Sequence, residues 1–263
     1  MSRSRPAVLA GSAGRRVAGV VPRLNRGVAG AGVVDANTPW AIRAGTEVPI
    51  LRQATDELSW LFERKYSQTA ALKLVGDHFG LRERQRLAVL RSACGARTAA
   101  ERARRRLTVA ELQGLRLAVD GFNCLITIEA ALSGGLLLRG RDEALRDLSS
   151  VHGGYRQVQE TERALQLLGN AIVGAGPTEV RWFLDRPVSN SGRLRGIIEA
   201  MAQAAGWPWQ VELADNPDHV IAATGWVAAS TDAWLLDNCP HWVCLPDTVV
   251  AQAGVSPWIL DLG

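Results

Sequence analysis

Residues 115–123 read Leu-Arg-Leu-Ala-Val-Asp-Gly-Phe-Asn, and this stretch decides the fold. Its first five residues are mostly aliphatic, the composition of a short strand buried on both faces. The run breaks at Asp120-Gly-Phe-Asn123, continues as a helical pattern from Cys124 to Leu132, and stops at Gly134 and Gly135. A buried strand that passes through a polar turn into a helix is the opening of a strand-helix-strand unit. The alternation repeats downstream. Further strands are expected at 180–184, 210–213, 226–229 and 242–245, with helical patterns at 143–151, 157–173, 192–205, 217–223 and 232–238. Short apolar strands alternating with helices predict a parallel sheet covered on both sides, a three-layer α/β/α domain over residues 111–263.

Upstream the pattern is all helical. Leu51, Ala54, Leu58, Leu61 and Phe62 share one face, and Ala71, Leu72, Val75 and Phe79 repeat the spacing. A helix over 68–79, capped by Ser67 and ended by Gly80, followed by a basic helix over 81–91, is compatible with a helix-turn-helix. Arg82, Arg84, Arg86 and Arg91 would then face outward, available to nucleic acid, although the same faces also suit packing or a homodimer. The run from Arg102 to Arg106 reads as a solvated linker or helix end. Residues 46–110 thus form a small helical domain. Residues 1–45 have no sustained period and read as a disordered basic arm, or, over 1–34, as an over-extended start of the reading frame.

The formal charge of +4 conceals a division. Residues 1–34 hold six Arg and no acid; residues 35–110 hold 14 basic and 8 acidic side chains; residues 111–263 hold 10 basic and 18 acidic ones. A basic helical module therefore precedes a domain of net charge −8. No stretch approaches the ~18 to 20 uninterrupted apolar residues of a membrane span. The four scattered cysteines do not make a disulfide framework, and the chain is expected in the cytoplasm. Cys239-Pro-His-Trp-Val-Cys244 has poor spacing for zinc. Neither a Gly-x-x-x-x-Gly-Lys-Ser/Thr loop nor a Gly-x-Gly-x-x-Gly turn occurs, which removes the main support for nucleotide-hydrolase and dinucleotide readings.

In an open parallel sheet ligands gather at the carboxyl ends of the strands, and several acids fall there. Asp120 and Asp185 each follow an expected strand, Asp232 follows Val-Ala-Ala-Ser-Thr, and Asp218 opens a short helix. Converging carboxylates repel one another unless a cation intervenes, and Mg²⁺ or Mn²⁺ prefers such oxygen ligands. Asp is also a common helix cap, so each position has a purely structural alternative. Asn123 beside Asp120, and Ser230 and Thr231 beside Asp232, are the polar partners that would orient ligands or water. Ser189-Asn-Ser-Gly192 with Arg193 could receive an anion at a helix start or simply cap it. His152 and Tyr155 could stack on a base or pack in a loop.

The segment Leu-Ala-Val-Asp120-Gly-Phe-Asn123 resembles the opening motif of PIN-like nuclease domains. Asp218-His-Val-Ile-Ala-Ala and Val-Ala-Ala-Ser-Thr-Asp232 are similar to that family's later pair. The stretch from Val119 to Trp242, with Arg139-Gly-Arg-Asp142, Val151-His-Gly-Gly-Tyr155 and Pro187-Val-Ser-Asn-Ser-Gly192, resembles an uncharacterised prokaryotic group with a helical domain upstream of a PIN-like one. Ala71 to Gly76, Arg84-Gln-Arg86 and Arg91 to Cys94 resemble that helical domain. The resemblance implies a metal-dependent nuclease of ribonuclease type. Asp120, Asp142, Asp218 and Asp232 would hold Mg²⁺ or Mn²⁺, with Asp147 and Asp185 as secondary candidates. The middle acid, usually Glu in such nucleases, is not obvious, and Asp142 is favoured over Asp147. Arg82, Arg84, Arg86, Arg91, Arg139, Arg141 and Arg193 would hold nucleic acid, RNA being the expected partner. The competing expectation is a non-catalytic nucleic-acid-binding or adaptor protein that keeps the fold without a complete metal site.

Overall fold

The computed structural model describes residues 47–148, 155 and 158–263. The arm expected over 1–45 and the loop residue His152 lie outside the described residues. Four helices come first: α1 (Glu47–Glu63), α2 (Gln68–His78), α3 (Glu83–Ser92) and α4 (Ala96–Arg105). Then follow β1 (Arg106–Leu107), β2 (Arg116–Asp120), α5 (Gly121–Leu132), β3 (Leu136–Arg139), β4 (Leu145–Asp147), α6 (Thr161–Ala175) and β5 (Glu179–Asp185). The chain continues through α7 (Ser191–Ala205), β6 (Trp209–Ala214), α8 (Pro217–Thr224), β7 (Val227–Ala229), α9 (Ala233–Asn238), β8 (His241–Val243), α10 (Leu245–Gln252) and β9 (Trp258–Asp261).

Six strands form one sheet in the order β1-β8-β7-β2-β5-β6, and every neighbouring pair in it is parallel. The two-residue side-chain period of a strand explains how both faces are covered. Leu117, Val119, Trp182, Leu184, Ala229 and Val243 point into one core, built with α5, α6, α7 and α10. Their alternates Ala118, Phe183, Ala228 and Trp242 point into a second core with α8 and α9. The inner strands are apolar along their central residues because neither face meets water there, whereas the edge strand β6 exposes Gln210 and Glu212.

The second sheet was not expected. β3 lies between β4, antiparallel, and β9, parallel. The helical pattern over 143–151 is thus corrected: residues 145–147 are a strand, and 149–151 lie outside the described residues. Leu145 and Leu148 have helical spacing, but they serve different cores, Leu145 the sheet side and Leu148 the helical module. Leu245, expected at the end of a strand, opens α10. Leu138, Leu148, Leu260 and Leu262 form the apolar floor on which Leu51, Leu58, Val75 and Val89 of the helical module rest.

Of the two expectations for the run Arg102–Arg106, the helix end holds, since Arg102 to Arg105 form the last turn of α4, and the solvated linker does not. Arg102 is 5% exposed and donates to the Asp142 carboxylate at 2.6 Å, and Arg146 pairs bidentately with the same carboxylate at 2.7 and 2.8 Å. Arg106 begins β1, the edge strand of the main sheet. Burial pushes the Asp142 carboxyl up, but Arg146 and Arg102 outweigh it and hold the group down at about 2, below its ordinary 3.8. A depressed carboxyl stabilises the fold above its unfolded value and ceases to do so as pH falls through its folded one. Asp142→Asn should therefore cost ~3 kcal/mol at neutral pH, since it leaves the buried Arg146 guanidinium without its counter-charge and Arg102 with Asp237 alone. In urea denaturation the deficit should shrink as pH falls from 4 towards 2.

Candidate functional site

The chain runs from β2 outward through β5 to β6, then crosses back to place β7 on the other side of β2. Between β2 and β7 the connections diverge, which opens a crevice at the carboxyl ends of these strands. Asp120 ends β2, Ser230-Thr231-Asp232 follow β7, Asp185 ends β5, and Asp218 lies in the first turn of α8. Asp120, Asp185, Asp218, Thr231 and Asp232 line one cavity of about 850 Å³, which extends to the helical module.

The turn after β2 is held tightly. Gly121 sits where a Cβ would lie 2.5 Å from Leu184 Cδ2 and 3.1 Å from the Phe183 carbonyl oxygen, so a side chain there would have to push Leu184 aside for α5 to start directly against β5. Asp120 caps α5, its Oδ1 accepting from the Asn123 amide at 3.4 Å. Ser230 Oγ donates to Asp120 Oδ2 at 2.7 Å and accepts from the Asp232 amide at 3.0 Å, which links the two strand ends through one hydroxyl. Asn123 Oδ1 accepts from both the amide and the hydroxyl of Thr231, each at 2.9 Å. Asp232 Oδ1 caps α9 through the amides of Trp234 and Leu235. Asp120 and Asp232 are therefore helix caps and cavity-lining carboxylates at once.

The electrostatics separate two kinds of acid. Burial, reinforced by the nearby charges of Asp218 and Asp232, pushes the Asp120 carboxyl up to about 8. Burial followed by Asp232 and Asp185 pushes Asp218 up to about 6, and burial also raises Asp185. Among the described residues, Asp120, Asp185, Asp218 and Asp232 make no ion pair. Asp147 also lines the cavity, but it pairs with Arg91 at 3.4 Å and accepts from Thr127 Oγ1 at 3.1 Å. Asp237 at the cavity's edge is bound by Arg102 at 2.7 and 2.8 Å.

Asp142, the favoured middle acid, is not on the cavity wall; it is 4% exposed and locked between Arg102 and Arg146. The four-residue spacing from Arg146 would bring the pair together on a helix, but Asp142 lies in a turn and Arg146 on β4, so the local sequence carried no sign of that pairing. The arginines expected to face nucleic acid are largely engaged internally. Arg82 pairs with Glu47, Arg86 with Asp77, Arg91 with Asp147, Arg139 with Asp247, and Arg141 with Asp56. Arg84 also has a partner, and Arg193 is exposed on α7, away from the cavity wall. Ser191 Oγ donates to the Arg186 carbonyl. Tyr155 is buried against Phe122, with its hydroxyl on Glu129 and Thr161, so it packs rather than stacks on a ligand. Cys239 and Cys244 are buried free thiols that burial pushes up to about 11 and about 12. Sequence reasoning missed Arg102, Arg146 and Trp234, whose places on the cavity wall depend on α4, β4 and α9 meeting there.

A parallel α/β sheet with an acidic crevice at its switch point, preceded by a helical region, defines the class of this protein. Residues 109–248, more than half of the chain, match the family described as Domain of unknown function (DUF5616), and the chain belongs to that family. Residues 50–105, which span most of α1 to α4, match the family described as Protein of unknown function (DUF434). An uncharacterized protein of Methanocaldococcus jannaschii is 27% identical over 180 residues, covering 68% of this chain and 86% of that protein. No solved structure matches the chain. No helix among the described residues is long and apolar enough to cross a membrane.

A carboxyl raised in the folded state stabilises the fold fully below its unfolded value of 3.8, and that contribution is lost as pH rises through the folded value, about 8 for Asp120. In buffer containing EDTA, Asp120→Asn should match wild type in stability near pH 4. By pH 8 it should exceed wild type by ~1–3 kcal/mol, seen as a higher midpoint in thermal melts.

Proposed function

We propose that this protein is a metal-dependent phosphodiesterase of ribonuclease type, built on a PIN-like α/β domain. The observation that carries the reading is the sorting of the acids. Asp120, Asp185, Asp218 and Asp232 line one crevice without an ion pair to arginine or lysine among the described residues, whereas the neighbouring Asp142, Asp147 and Asp237 are each paired with arginine.

The donor set fits a hard divalent ion. Among the described residues no group of three or more acidic, His or Cys side chains is placed to hold an ion by itself, so at most two carboxylates would serve. Mg²⁺ commonly uses one or two carboxylates and takes water or substrate phosphate for the rest, and Mn²⁺ accepts similar ligands. Asp120 and Asp232, tied together through Ser230 Oγ, would hold it, with Asp218 and Asp185 at the margin. When bound, such an ion lowers the pKa of water and stabilises the leaving oxygen of a phosphodiester. Ser230 fixes the Asp120 carboxylate through Oδ2 and, through its own Oγ, sets the backbone that carries Asp232. Asn123 holds the Thr231 backbone and so the entry to α9. Asp218, which burial and the charges of Asp232 and Asp185 push up to about 6 in the metal-free protein, faces the same crevice, where it would accept a hydrogen bond from a water at its carboxylate.

With purified protein, single-stranded and structured RNA, and Mn²⁺, cleavage should depend on the metal and fall by about 100-fold or more in Asp120→Asn and Asp232→Asn. Cleavage that persists at the wild-type rate in both variants would overturn the assignment. The second reading, a non-catalytic nucleic-acid adaptor, is favoured by the diversion of Asp142 into its arginine pair. Calorimetric titration separates the two: a catalytic site should bind Mn²⁺ and lose affinity with Asp120→Asn, whereas an adaptor should bind RNA with no metal requirement.

A further inference from the structure

α1 ends in a common left-handed closure whose occupant is uncommon. Tyr66 N donates to the Leu61 carbonyl at 3.2 Å and Lys65 N to the Phe62 carbonyl at 3.0 Å, a closure that places residue 65 in the left-handed region, with φ 65°. Glycine is the usual occupant of such a position because a Cβ is disfavoured there. Strain of this kind at a residue whose side chain does nothing locally directs attention to what that side chain faces. The Lys65 ammonium makes no ion pair among the described residues, yet Lys65 lines the cavity that holds Asp120 and Asp218. The arginines on the same wall, Arg91, Arg102 and Arg146, are all bound to carboxylates. Lys65 is therefore the cation of this cavity, among the described residues, whose charge is not cancelled.

Two aromatic rings accompany it. Tyr66 is 55% exposed and Trp234 38% exposed, and both line the cavity. Trp234 already lies against His219, ring centres 4.5 Å apart. An uncancelled cation beside exposed flat rings suits a chain of phosphates carrying planar bases. A duplex cannot use the rings, because its bases are stacked inside.

We propose that Lys65 and Tyr66, at the corner between α1 and α2, form with Trp234 a subsite for a single-stranded nucleic acid. Lys65 holds a backbone phosphate, and Tyr66 and Trp234 stack on bases. The proposal rests on the nucleic-acid part of the reading above and not on catalysis. It makes this corner, rather than the paired arginines on the same wall, the part of the helical module that holds the strand.

The test is fluorescence anisotropy of a labelled single-stranded RNA of mixed sequence, with a blunt RNA duplex as control, titrated with the full chain in EDTA at several salt concentrations. Lys65→Gly should leave the thermal midpoint unchanged or raised, weaken single-strand binding several-fold, and flatten the logarithmic salt dependence by about 0.7. Tyr66→Ala should weaken binding by about fivefold to a hundredfold. Neither variant should alter duplex binding. Wild-type affinity and salt slope in both variants would overturn the subsite while leaving metal-dependent cleavage at Asp120 a separate matter. Absence of single-strand binding by the wild type would also overturn it. The expected losses in a protein that cleaves nothing would uphold the subsite and reject the nuclease.

Discussion

The carboxylate of Asp142, shared between Arg102 and Arg146, is the constraint on which the rest of the molecule depends. Arg102 comes from the helical module, and Asp142 and Arg146 from the approach to β4 and from β4 itself. Both arginines reach further. Arg146 Nε donates to the Thr231 carbonyl at 2.7 Å, and Arg102 donates to the Ala233 carbonyl at 3.0 Å and to Asp237. The loop after β7, which carries Ser230 and Asp232, is thus gripped from behind by the same two guanidiniums that join the helical module to the small sheet. Ion pairs this deeply buried add little net stability over well-packed apolar residues. Their effect here is geometric: they leave few positions in which Asp232 can sit relative to Asp120.

The division of charge along the chain acquires a physical meaning from these contacts. A basic helical segment next to an acidic α/β segment suggests, at first sight, a cationic surface offered to a polyanion. Much of that polarity is instead consumed across the internal boundary, by Arg91 on Asp147, Arg102 on Asp142 and Asp237, and Arg106 on Asp247. What remains at the crevice is the set of acids that no arginine reaches. Opposite charges cancel where the two parts of the protein meet, and like charges persist where they do not.

Most of the main sheet was legible because its inner strands are short apolar runs buried on both faces, whereas β1, only two residues long at the end of a basic run, was not. β2, β5 and β6 lie within a residue or so of their expected positions, and the acids at the sheet's carboxyl edge were identifiable from place alone. The second sheet was not legible. β4 is three residues long and interrupted by a buried Arg, and its pairing with β3 depends on contacts to cores that the local pattern does not reveal. Asp142 was misjudged for the same reason. An acid beside a Gly- and Arg-bearing loop looks exposed until its partners, one of them 40 residues earlier, are known. Arg102 lay in a run of basic residues whose composition suggested water, although a single member of the run is inside.

The position of β9 has a consequence for the order in which the molecule can assemble. Trp258–Asp261 pairs with β3, its Leu260 forms part of the floor beneath α1 to α3, and the Asp261 carbonyl accepts from Arg52 at 2.9 Å. The helices at the beginning of the described chain thus rest on residues translated more than 150 positions later. β1 likewise waits for β8, with Arg106 in register with Trp242. As the chain leaves the ribosome, the helical module has an unfinished apolar underside until the last strand arrives, and contacts so distant in sequence close slowly. Synthesis therefore passes through a long interval in which the amphipathic helices exist but the surface that retires them does not.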